Sequence, residues 1–239
     1  MAVIIDAFTG TDGSQPNSKL WTGRGDAYGG SWDNPEGIYS NQLKMEVYSG
    51  GSQYQGVNHN GLVTGSFDIQ IDYNVTSGPS SNSWKLEFGL GETGPSNDWC
   101  YIAYMYSAGN VRIYCYVQDN GSMGYEVTEA IGSAPSSGKL RIAWNAAGTT
   151  IHFYWWNGST WDEMGSGDNW SSIGSDAEFL IETSANWWDS MSGTMTVYVD
   201  NFILNSGTLY YPAGTFSTSI GNVSFGNVNI SGAPDEISA

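Results

Sequence analysis

Along most of this chain apolar and polar residues alternate with a period of two. That is the pattern of strands that bury one face and wet the other. The clearest pair lies within residues 138–164. Leu140, Ile142 and Trp144 alternate with Lys139, Arg141 and Ala143, and Ile151, Phe153 and Trp155 alternate with His152, Tyr154 and Trp156. The Asn-Ala-Ala-Gly-Thr between the runs has turn chemistry, so the two are expected as an antiparallel hairpin. Facing core residues to core residues sets its register: Trp144 opposite Ile151, Ile142 opposite Phe153, Leu140 opposite Trp155. The second face then pairs Ala143 with His152, Arg141 with Tyr154 and Lys139 with Trp156.

The same alternation marks residues 3–8, Gln42–Tyr48, 67–73, 84–90, 98–106, 111–117, 178–183 and 194–204 as strands. Residues 98–117 form a second predicted hairpin. It turns inward Cys100, Ile102, Tyr104, Val111, Ile113, Cys115 and Val117. Its outward face collects Trp99, Tyr101, Met105, Arg112, Tyr114 and Tyr116. Residues 50–61 read as a polar loop holding His59. No window has helical periodicity, so the chain is expected to be all-β, an antiparallel two-sheet sandwich spanning residues 1–205. Residues 206–239 differ: they are small, polar and glycine-spaced, with sparse apolar positions. They read as a C-terminal extension whose segment 224–230 forms a strand that docks on its own sheet edge or on a neighbouring chain's.

Composition narrows the function more than the fold. The chain has 239 residues with 14% aromatic and 13% charged residues, so Ser, Thr, Asn and Gly must cover much of the surface. Seven Lys and Arg stand against 24 Asp and Glu, a net charge of −17. Phosphate backbones and anionic membranes repel such a chain, which argues against nucleic-acid and membrane-surface roles. The opening Met-Ala-Val-Ile-Ile-Asp lacks the basic region of a secretory signal, and no run approaches a membrane span. Cys100 and Cys115 fall on consecutive strands and on one face, either directly opposite or diagonal. They are expected either as a cross-strand disulfide or as two buried thiols.

Four stretches carry a family resemblance: Asp6-Ala7-Phe8-Thr9-Gly10-Thr11-Asp12-Gly13 with Leu20-Trp21; Asn41-Gln42-Leu43-Lys44-Met45; Leu140-Arg141-Ile142 with Gly148, Phe153-Tyr154, Asn157-Gly158 and Trp161; and Tyr198-Val199-Asp200-Asn201-Phe202. Their order resembles the concanavalin A-like lectin/glucanase superfamily, within it the laminin-G-like and virus-encoded members. The resemblance implies a jelly-roll sandwich whose concave sheet is a glycan platform. It also implies a structural calcium joining the first and last strands, with Asp6 and Asp200 at matching positions as its carboxylate ligands.

Glycan recognition needs rings for flat C–H faces and donors and acceptors beside them for hydroxyls. If both hairpins share one sheet, Trp99, Tyr101, Arg112, Tyr114, Tyr116, Arg141, His152, Tyr154 and Trp156 provide this on its outer face. The glucanases resembled here carry Glu-x-Asp-x-x-Glu on one strand, and no such string occurs in this chain. Asp68/Asp72 and Glu178/Glu182 each put two carboxylates on one strand face, and Glu87 lies beside Lys85, without that motif. Neither histidine falls in a nucleophile motif. The sequence therefore leads us to expect a non-enzymatic, lectin-like glycan-binding surface module in a homo-oligomer or larger assembly. Its expected setting is extracellular or on a virion surface. The alternatives are a structural subunit whose aromatic face is an interface, and a divergent glycoside hydrolase or lyase.

Overall fold

A computed structural model of the chain describes residues 2–26, 37–48, 54–63, 65–78, 84–92, 98–107, 110–119, 122–130, 136–169, 177–185, 194–211 and 235–238. Among these the regular structure is all strand. The first nine are β1 (Val3–Asp6), β2 (Trp21–Asp26), β3 (Gly37–Tyr39), β4 (Gln42–Tyr48), β5 (Tyr54–Val63), β6 (Phe67–Ser77), β7 (Trp84–Glu92), β8 (Trp99–Ser107) and β9 (Asn110–Asp119). The rest are β10 (Ser122–Ala130), β11 (Ser137–Asn145), β12 (Thr150–Trp156), β13 (Trp161–Asn169), β14 (Ala177–Ala185), β15 (Thr194–Ser206), β16 (Thr208–Tyr211) and β17 (Asp235–Ser238).

All pairings are antiparallel, and they build two sheets. One has eight strands in the order β13-β12-β11-β6-β15-β4-β3, with β1 on β15. The other has nine, β10-β9-β8-β7-β14-β5-β16-β17, with β2 on β5. The inward positions of both meet in one core. From the eight-stranded sheet come Leu43, Met45, Ile69, Ile71, Leu140, Ile142, Phe153, Val197 and Phe202; from the nine-stranded sheet come Leu86, Phe88, Ile102, Ile113, Val117, Phe179 and Ile181. Phe179 joins the two sheets by meeting Phe202 at 5.8 Å and, edge-on, Phe67 at 5.3 Å. Such aromatic contacts add to the area buried.

The β11–β12 register agrees with the expectation: Leu140 faces Trp155, Arg141 Tyr154, Ile142 Phe153, Ala143 His152 and Trp144 Ile151. In β8–β9 Ile102 faces Cys115 and Cys100 faces Val117, so the cysteines are diagonal. They remain two buried thiols. Burial pushes the Cys100 thiol well above its ordinary value.

Two expectations change. Residues 54–63 are strand β5 rather than loop, and His59 is fully buried. Its inward face reads Val57, His59, Gly61, Val63, and a histidine and a glycine among the apolar positions concealed the alternation. The sandwich also continues past residue 205. Leu209 and Tyr211 of β16 are core residues, and β16 carries β17 on the same sheet within this chain. The expected strand at 224–230 lies outside the described residues.

Candidate functional site on the nine-stranded sheet

The nine sequence-predicted ligand residues divide between the two sheets. Trp99, Tyr101, Arg112, Tyr114 and Tyr116 lie on β8 and β9 of the nine-stranded sheet, whereas Arg141, His152, Tyr154 and Trp156 lie on β11 and β12 of the eight-stranded sheet. Each set occupies the outer face of its sheet, so the core separates them. The single composite face is thereby corrected. Alternation tells which residues share a side of a strand, but not which hairpins share a sheet.

On the eight-stranded face the side chains are largely occupied with one another. Arg141 donates to both oxygens of Asp68, through Nε at 2.8 Å and Nη2 at 2.5 Å. Its guanidinium lies 4.8 Å over Tyr154 and 5.6 Å from the Trp161 ring. Those bonds to Asp68 raise the Arg141 pKa further. Lys139 holds Asp72 at 2.7 Å, His152 Nδ1 lies 2.7 Å from Glu163, and Trp156 meets Trp161 edge-on. Asp68 and Asp72, candidates as a carboxylate pair, are thus consumed by cations. These contacts brace the sheet.

The nine-stranded face is organised differently. Tyr101, Tyr114 and Tyr116 form a stack, with centroids 5.3 Å apart for Tyr101–Tyr116 and 5.8 Å for Tyr101–Tyr114. Tyr116 donates to Gln118 at 2.8 Å. Burial, reinforced by the Glu87 carboxylate and the neighbouring tyrosines, pushes the Tyr101 phenol far above its ordinary value. It therefore stays protonated, able to donate as well as accept. Gly89 and Gly91 on β7 make room for the rings. A Cβ on Gly91 would strike the Trp99 indole, and one on Gly89 would strike the Cys100 carbonyl and the Tyr101 Cβ.

Beside the tyrosines stand two carboxylates. Glu87 on β7 is directly opposite Glu182 on β14. Both are on the outer face, yet they are only 7% and 8% exposed. Residues facing each other across an antiparallel pair have Cβ atoms about 4.5–5.5 Å apart. Lys85 Nζ donates to Glu87 Oε1 at 2.5 Å and sits 5.1 Å over the Tyr101 ring, and Ser184 Oγ donates to Oε2 at 3.2 Å. Nearby, Asn58 Nδ2 donates to Glu178 Oε2 at 3.2 Å. Inspection of single strands misses this pair because its members are 95 residues apart in sequence (182 − 87). The available signal was partial: Glu87 and Glu182 each occupy a polar slot of a clearly alternating strand.

Asp6 and Asp200 were expected to hold calcium. They lie at the β1–β15 junction, where Asp6 pairs with Phe202. Asp6 Oδ1 accepts from the Phe8 N–H and Oδ2 from Trp21 Nε1, both at 2.7 Å, while Asp200 Oδ1 accepts from the Asn201 N–H. Burial raises the pKa of both aspartates. Among the described residues no group of three or more His, Cys, Asp and Glu side chains clusters as for a metal. Calcium needs six to eight oxygens aimed at it. An Asp6 with N–H donors on both oxygens does not fit that role.

The two antiparallel sheets close on one core as a β-sandwich, and the chain shares that fold with solved glucanase and lectin structures. Among solved structures it is similar to the β-glucanase of Bacillus licheniformis. Identity there is 13% and the TM-score 0.60, over 83% of this chain and 95% of that one. An endo-acting O-glycanase of the human gut microbiota gives 12% identity and a TM-score of 0.65, covering 85% and 97%. Lectin I-B4 of Griffonia simplicifolia gives 10% and 0.56, covering 79% and 93%. No family profile and no curated protein matches the sequence.

These likenesses correct the expectation that the chain has no enzyme activity. Glucanases and other glycoside hydrolases carry this fold over most of their length at identities as low as this chain shows. The missing Glu-x-Asp-x-x-Glu string is therefore no ground for excluding catalysis.

Proposed function

We propose that the chain is a carbohydrate-active domain of glycoside-hydrolase type, binding its glycan over the outer face of the nine-stranded sheet. The observation that carries this reading is the cross-strand pair Glu87–Glu182 beside the Trp99, Tyr101, Tyr114 and Tyr116 rings. Glycoside hydrolysis needs two carboxyl groups flanking the scissile bond. A separation of about 5–5.5 Å goes with a nucleophile and retained configuration, whereas a wider gap leaves room for an attacking water. Directly opposed strand positions set the two Cβ atoms about 4.5–5.5 Å apart, which lets the carboxyl groups adopt the short separation. Glu87 already accepts from an ammonium and a hydroxyl, so it takes the nucleophile role, and Glu182 donates the proton to the leaving oxygen. Lys85 and Ser184 orient Glu87, while the rings carry adjoining sugars by stacking.

Polysaccharides of this kind lie outside cells, so the extracellular or virion-surface setting expected from the sequence goes with this reading. The test is release of reducing ends from a polysaccharide panel by the wild-type chain and by Glu87→Gln and Glu182→Gln. Both variants should lose roughly 10³-fold or more in rate while retaining glycan binding. Proton NMR of the first product should show the anomeric configuration retained. Release that survives both substitutions, or an inverted product, would overturn the assignment.

A further inference from the structure

In a chain of net charge −17 each cation is scarce, and where it sits carries information. Four of the outer-face cations hold a carboxylate: Lys44 with Glu46 at 3.0 Å, Lys85 with Glu87 at 2.5 Å, Lys139 with Asp72 at 2.7 Å and Arg141 with Asp68 at 2.5 Å. Arg112 does not. Among the described residues it makes no hydrogen bond or ion pair, and its Nε is buried without an acceptor. A guanidinium nitrogen withdrawn from water and given no acceptor is destabilising, unless a ligand supplies the missing oxygen.

Its position says which ligand. Arg112 stands on β9 two residues before Tyr114 and four before Tyr116, so all three share the outer face. It faces Met105 on β8, which in turn faces Lys85 on β7, so the two cations lie in one transverse row. The next row holds Glu87 and Tyr114. From strand spacing and rise, Arg112 is about 12 Å from Glu87 along the sheet, within reach of a neighbouring unit of a chain bound across the tyrosines.

We propose that the glycan bound at this face is anionic, and that Arg112 recognises a carboxylate or sulfate substituent on a sugar next to the cleaved bond. The proposal rests on the hydrolase reading of the same face and adds its substrate class. The planar guanidinium gives two parallel N–H donors to either oxyanion, a geometry that a neutral hydroxyl cannot fill.

Titration calorimetry on the full chain tests it. The ligands are polygalacturonate, its fully methyl-esterified form, a sulfated galactan, the same galactan after desulfation, and a neutral β-glucan. The wild type should bind one of the two anionic polymers at least ~10-fold more tightly than its neutralised partner, and which one distinguishes carboxylate from sulfate. Arg112→Gln should abolish that difference without changing affinity for the neutral forms. Arg112→Lys, which keeps the charge but not the fork, should retain part of it. Neutral forms bound as tightly as anionic ones by the wild type, or an equal loss for both in Arg112→Gln, would overturn the proposal and leave the glycan reading standing. No binding to any of the five polymers would overturn both.

Discussion

His59 offers a quantitative test of how this sandwich is held together. Its side chain is fully buried between aromatic rings, with centroids 4.8 Å from both Trp21 and Phe202. The Gly61 N–H donates to Nδ1 at 3.1 Å, and Tyr211 Oη lies 3.1 Å from Nε2. An imidazolium carries a proton on both nitrogens, so protonation would set an N–H against the Gly61 donor in a fully buried site, with the more distant Gly61 carbonyl, 3.4 Å from Nδ1, as its acceptor there. Burial accordingly lowers the His59 pKa to about 3. Because the folded value lies below the unfolded one of about 6.5, the unfolded chain binds the proton first as pH falls. Stability is then lost progressively between pH 6.5 and 3. At pH 5 the unfolded state has gained log(1 + 10^1.5), or ~1.5 pH units of proton binding, worth about 2 kcal/mol at 1.36 kcal/mol per unit. Urea unfolding at pH 7.5 and pH 5.0 should show the wild type losing about 2 kcal/mol more than His59→Phe. The variant gives up the Gly61 and Tyr211 bonds at every pH, which lowers both values alike, and the carboxylates contribute equally to both proteins. Equal pH dependence in wild type and variant would refute a neutral buried His59.

Other consequences are cheaper to check. Phe153→Ala, at a position with no exposure, should cost about 3–5 kcal/mol in urea unfolding. Trp21→Phe keeps the ring packing but removes the Nε1 donor from Asp6, and should cost about 1–3 kcal/mol; a negligible change would mean that water replaces the bond. Gly89→Ala should lower the melting temperature and weaken glycan binding together, since its Cβ meets backbone and the Tyr101 side chain. Chelation with EDTA should leave the melting temperature unchanged, because N–H donors already fill Asp6; a drop of several degrees would restore a calcium at Asp6 and Asp200.

How far the sequence could be read depended on how local each feature is. The alternation in β11 and β12 determined their faces and register, because core must meet core and a one-residue slip would expose every apolar side chain. The inward set of β8 and β9, and the diagonal or direct placement of the cysteines, followed from the same rule. β5 was missed because its inward face includes His59 and Gly61, which become core residues only when Tyr211, 152 residues further on (211 − 59), arrives to share a hydrogen bond. β16 was missed because its neighbours in sequence are polar and its apolar Leu209 and Tyr211 find their partners on β5.

By itself, then, the sequence determined the strands whose alternation is unbroken, the β11–β12 register and the side of its strand on which each ring and charge of those runs lies, since each follows from a period-two pattern within one or two runs. Only the tertiary structure decided which hairpins share a sheet. Sheet order arises from contacts between segments far apart in the chain, to which local periodicity is blind. That decision separated Arg141, His152, Tyr154 and Trp156 from Trp99, Tyr101, Arg112, Tyr114 and Tyr116. It also placed β14 against β7, which brought Glu182 opposite Glu87 and gave the aromatic face the paired carboxylates that no single strand shows.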